Sequence, residues 1–64
     1  MTYKLIISFT MYHPIKKKIE TKEVGCEAVA ETEKAAIEET KEWYAQELGM
    51  RPEEIEVKEI TQVG

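Results

Sequence analysis

The sequence predicts an α+β domain, a three-stranded antiparallel sheet in chain order β-β-α-β with one helix packed on one face. Three observations carry the prediction. An alternating apolar segment opens the chain, a stripe of apolar residues at helical spacing runs between Thr32 and Gly49, and a second strand-like segment follows Pro52. At 64 residues the chain is read as one domain, 1–64, with no linker, repeat or low-complexity segment.

In the opening segment the odd positions Tyr3, Leu5, Ile7, Phe9 and Met11 are apolar or aromatic. The even positions Lys4, Ser8, Thr10 and Tyr12 are mostly polar, with Ile6 the exception. A period of two buries one face only in an extended chain, which predicts a strand over Thr2–Tyr12. His13-Pro14 then starts a turn, because proline fixes its own φ and drives the preceding residue out of the helical region.

A second strand is predicted over Lys17–Ala30, and its parity is inconsistent. Ile19 and Thr21 occupy odd positions, whereas Val24, Cys26 and Ala28 occupy even ones. Gly25 stands beside the switch, so an irregularity is expected within Glu23–Gly25. The alternative sends Ile19 to the outer face beside Ile6 and Tyr12.

The helix is predicted over Glu33–Leu48. Thr32 is its N-cap and Glu33 complements the dipole in the first turn. Ala36, Thr40, Trp43 and Glu47 form one row, and Ile37, Tyr44 and Leu48 the next, with Glu38, Glu39, Lys41, Glu42 and Gln46 toward water. Gly49 is the left-handed terminator and Pro52 prevents continuation. A third strand over Glu54–Thr61 would place Ile55 and Val57 on one face and Ile60 on the other. Because the helical crossover is right-handed, strand three lands beside strand one, giving the order 2-1-3 with the opening strand in the centre.

Composition narrows function by exclusion. So short a chain hides only about 60% of its unfolded surface, and its expected stability is roughly 3–10 kcal/mol. A lone cysteine cannot form an internal disulfide, and no Cys/His cluster offers a structural metal or cofactor site. Lys4 breaks the apolar run, no cleavage signature follows, and no stretch approaches a membrane span, so a cytoplasmic location is expected with no membrane partner. Residues 1–22 carry five lysines against Glu20, whereas residues 23–64 carry four basic residues against twelve glutamates, a dipolar arrangement with a net charge of −4.

Each chemically capable residue has a plainer role. His13 lacks an orienting carboxylate and a nucleophile, and reads as a turn residue. Cys26 lies between Gly25 and Glu27, where a carboxylate raises a thiol pKa, and reads as a small core filler. Glu53, Glu54 and Glu56 lack the Asp/Asn-rich glycine loop of a calcium site and read as edge-strand solvation. Of Trp43 and Tyr44, consecutive on the helix, one must sit at the rim of the core. With one histidine, no aspartate and no glycine-rich phosphate loop, the chain is not expected to be an enzyme.

The leading expectation is therefore a small binding protein that takes a protein partner, or a second copy of itself, through the open sheet face or an edge strand. Ile6, Tyr12 and Ile60 are the expected contact patch on that face. A second reading is an acidic inhibitor of the phage anti-defence kind, whose helix face Glu38, Glu39 and Glu42 imitates a phosphate track. A third is weak RNA binding through the hairpin lysines Lys16, Lys17 and Lys18, with Tyr12 and His13 able to stack on bases.

Overall fold

In a computed structural model that describes residues 1–64, the chain forms β1 (Thr2–His13), β2 (Lys18–Val29), α1 (Glu33–Leu48) and β3 (Glu56–Gln62), with a short 3-10 turn at Pro52–Glu54. The strands make one sheet in the order β2-β1-β3, both pairings antiparallel. The expected class, order and central opening strand are all present.

Alternation along β1 is converted directly into burial. Tyr3, Leu5, Ile7 and Phe9 are buried and meet Ala36 and Ala45 of α1, with Ile55 closing the core beneath the helix's C-terminal end. Helix boundaries follow from their caps. The Thr32 hydroxyl accepts the Ala35 N–H at 3.1 Å, and Gly49 adopts the left-handed conformation (φ 68°), donating its N–H to Ala45 O. The buried stripe differs in detail from the expected rows. Ala45 is buried and Lys41 half-buried, whereas Trp43 is 57% exposed.

β2 is straight. Its register with β1 is unbroken from Thr2↔Val29 to His13↔Lys18, so the irregularity expected within Glu23–Gly25 is absent. The parity conflict resolves the other way. Val24, Cys26 and Ala28 pack toward the helix, while Ile19 stands on the open face opposite Tyr12.

The irregularity lies in β3 instead. Ile6 pairs with Glu59 but Ile7 with Val57, leaving Lys58 as the extra residue of a bulge. That one residue restores Ile60 to the helix-covered side, where it faces Leu5 and packs on the core together with Val57. Ile60 was expected on the open face; the bulge moves it to the other. The ladder then continues to the chain ends, with Thr2 N–H donating to Gly64 O at 2.9 Å and Val63 N–H to Thr2 O at 2.8 Å.

The strands differ in length, and this sets the outline of the molecule. β3 begins opposite Ser8, so the far halves of β1 and β2 continue without it as a two-stranded arm. The extents of 41 × 17 × 14 Å reflect that arm.

Candidate functional site

The open face carries Lys4, Ile6, Ser8, Thr10 and Tyr12 along its middle, as expected, but they do not form an apolar patch. Glu27 and Thr61 flank Lys4, Gly25 and Glu59 flank Ile6, and Glu23 and Glu56 flank Ser8. Ser8 is buried among these neighbours, and Thr10 and Thr21 bring their hydroxyls to 3.3 Å directly across the strands. Tyr12 lies six positions from Ile6, roughly 20 Å along the strand. With Ile60 on the other face, the expected trio of Ile6, Tyr12 and Ile60 is not one surface.

The lysine turn is shaped by backbone chemistry. His13 Nδ1 accepts the Lys16 N–H at 3.2 Å, which ties the turn and uses that ring nitrogen structurally. Lys17 takes the left-handed conformation (φ 53°) that closes it. Lys16 Nζ and Lys18 Nζ both approach Glu20 Oε1, at 3.2 and 3.9 Å, leaving Lys17 without an ion-pair partner. All three lysines are exposed, as are Glu38, Glu39 and Glu42 on α1.

Sequence reasoning did not find the groove between α1 and the border strand β2. It has a volume of about 330 Å³ and is lined by Cys26–Val29 and by Glu39, Thr40, Trp43 and Tyr44. Trp43 stands at its rim with its ring edge-on to Tyr44, centroids 4.8 Å apart at 75°. Partial burial pushes the Cys26 thiol above its ordinary pKa of 9.0, an effect that the Tyr44 hydroxyl beside it partly offsets. Burial likewise raises Tyr44, reinforced by the Cys26 thiol. At neutral pH both groups carry their protons, so the groove offers a largely apolar wall with the Cys26 and Tyr44 protons and the Glu27 and Glu39 carboxylates at its margins rather than a nucleophile. Consecutive aromatics on a helix were the available signal for it; which strand they would overhang depends on the handedness of the crossover.

β2 also presents its backbone. Ala30 N–H donates to Met1 O at 2.9 Å, which makes Met1–Ala30 a hydrogen-bonded pair. Alternation along the regular register then gives the even-numbered residues of β2 to β1. The odd-numbered ones, from Ile19 through Thr21, Glu23, Gly25 and Glu27 to Val29, turn their N–H and C=O groups outward. This edge is twelve residues long, without proline or bulge, and is guarded by the charges of Lys18, Glu20, Lys22, Glu23 and Glu27. The opposite edge, β3, is seven residues long and bulged at Lys58.

No group of three or more His, Cys, Asp or Glu side chains is placed to hold a metal ion, and no helix is long and apolar enough to cross a membrane. Compared with protein-family models, curated proteins and solved structures, the chain matches none.

Proposed function

We propose that this chain is a non-enzymatic interaction module whose binding element is the free edge of β2 with the groove beside it. One observation carries the reading: a twelve-residue strand without a bulge lies at the border of the sheet with a full row of outward amides and carbonyls. An extended protein segment laid there gains main-chain hydrogen bonds, and its alternate side chains enter the groove under Trp43 and Tyr44. The open face plays the smaller part, since glutamates and threonines separate Ile6 from the Tyr12–Ile19 pair on the arm. Neither charged cluster is favoured over this edge. Glu20 holds two of the three turn lysines, and the helix glutamates are what a solvated face presents.

The test is titration of the isotopically labelled protein with extended peptides of alternating valine and threonine, read by amide chemical shifts. Shifts centred on Thr21, Glu23, Gly25 and Glu27 are expected, lost in Glu27→Pro. That proline removes only an outward donor and leaves the ladder to β1 intact. Shifts confined to Lys16–Lys18 or to Glu38–Glu42, or none along β2, would overturn the assignment.

A further inference from the structure

We infer that the strand received by β2 is the β2 of a second copy of this chain, paired antiparallel about a two-fold axis at Val24. This identification of the partner rests on the edge-binding reading above and adds the occupant and the register.

The register is selected by charge. A two-fold pairing that joins outward groups to outward groups must centre on one residue of β2. Centring on Glu23 sets that carboxylate against its own copy, and centring on Gly25 sets Glu23 opposite Glu27 twice. Like charges directly opposite destabilise a ladder. Centring on Val24 opposes no like charges and uses the whole strand. It also places Ile19 of each copy against Val29 of the other, and these two side chains are 70% and 74% exposed in the single chain.

Complementarity extends beyond the strands. The chain is basic along its arm and acidic along its helix, and antiparallel pairing lays the arm of each copy beside the helix of the other. On the helix-covered face Lys22 of the second copy falls opposite Cys26, below Glu39 at the groove, and Lys18 falls opposite Ala30, next to Glu31. The product is a six-stranded sheet bordered by the two bulged β3 strands, with both helices on one face and the two grooves merged across the axis, covering Trp43. Both β2 edges are consumed, so growth stops at two copies.

Sedimentation of the intact chain, with disulfide trapping, tests this. The wild-type protein is expected to sediment at twice its 7.4 kDa mass at tens of micromolar and to dissociate as salt rises. Glu27→Pro is expected to be monomeric with an unchanged circular dichroism spectrum. In a Cys26→Ser background, Val24→Cys faces its own copy at a Cα separation of about 4.5 Å and crosslinks on mild oxidation. Lys22→Cys, offset from its copy by about 13 Å along the strand, does not. A monomer at all concentrations, a dimer that survives Glu27→Pro, or equal crosslinking at both positions overturns the inference. A monomer whose β2 amides still respond to extended peptides would leave the edge-binding reading standing, whereas a monomer inert to them would remove both.

Discussion

Leu5 and Ile60 face each other across the β1–β3 ladder on the helix-covered side, and Lys58 is what puts them there. Without the bulge, Ile60 would point away from the helix while Val57 pointed toward it, because a slip of one residue exchanges the faces of a strand. One exposed lysine, through its backbone alone, therefore determines where a core residue goes.

The consequence is measurable by urea denaturation. Ile60→Ala removes packing from a half-buried site and is expected to cost about 2 kcal/mol, the low end for such truncations. Lys58→Ala keeps the bulge and should fall within about 0.5 kcal/mol of wild type. Deleting Lys58 shortens the strand by one residue and should cost about 2 kcal/mol or more, since Ile60 loses its place opposite Leu5. Equal stability of the deletion and Lys58→Ala would show that register is not set there.

What the sequence discloses divides along the same line. The β1 alternation and the Thr32 and Gly49 signals give the strand, the helix and both helix ends, because each is a local preference written in adjacent residues. The sheet order follows from the strength of the β1 pattern, which calls for neighbours on both sides, together with the right-handed crossover that sets the helix on one face. Bulge placement is different in kind. Gly25 looks like a bulge residue but lies in regular register, whereas Lys58, the bulged residue, carries no such signature. Only the competition among Ile55, Val57 and Ile60 for one core decides it, and that competition is long-range. The candidate edge was legible only as a general liability of border strands. Its parity and the groove under Trp43 required the register and the helix position.

The two internal glycines should respond oppositely to substitution. Gly49 sits at φ 68°, so Gly49→Ala is expected to cost about 1 kcal/mol. Gly25 has no positive φ and open space where a Cβ would project, so Gly25→Thr should stabilise by about 0.5 kcal/mol through the unfolded chain. Thermal melts of both variants, with Thr32→Ala as a capping reference near 1 kcal/mol, check the pair. A destabilised Gly25→Thr would contradict the regular extended backbone of β2.

The Lys16–Glu20–Lys18 cluster is expected to matter for charge rather than for stability. Both lysines are largely exposed, so Glu20→Gln should change stability by no more than about 0.5 kcal/mol. The same change frees two ammonium groups at the arm's tip. Fluorescence anisotropy with a single-stranded oligonucleotide at low salt should then show tighter binding than wild type. Unchanged anisotropy would mean that the turn lysines were never held by Glu20 in solution.

Cys26 and Tyr44 give the groove a pH signature. Each has a native pKa above its ordinary value, 9.0 for the thiol and 10.0 for the phenol, chiefly because burial disfavours the charged form. The native state therefore holds these protons more tightly than the unfolded chain does. Their contribution is complete below pH 9.0, erodes as pH rises past those ordinary values, and is gone once the raised native values are passed. Melting temperatures followed upward from pH 8 should fall faster in wild type than in a Cys26→Ser, Tyr44→Phe double variant. Alkylation supplies the independent check. At pH 8 iodoacetamide should modify Cys26 more slowly than a free cysteine, and Tyr44→Phe should slow it again, because the lost hydroxyl had been lowering the thiol's pKa. Faster alkylation than free cysteine would mean an activated thiol, and the groove would then have to be reconsidered as a site of chemistry.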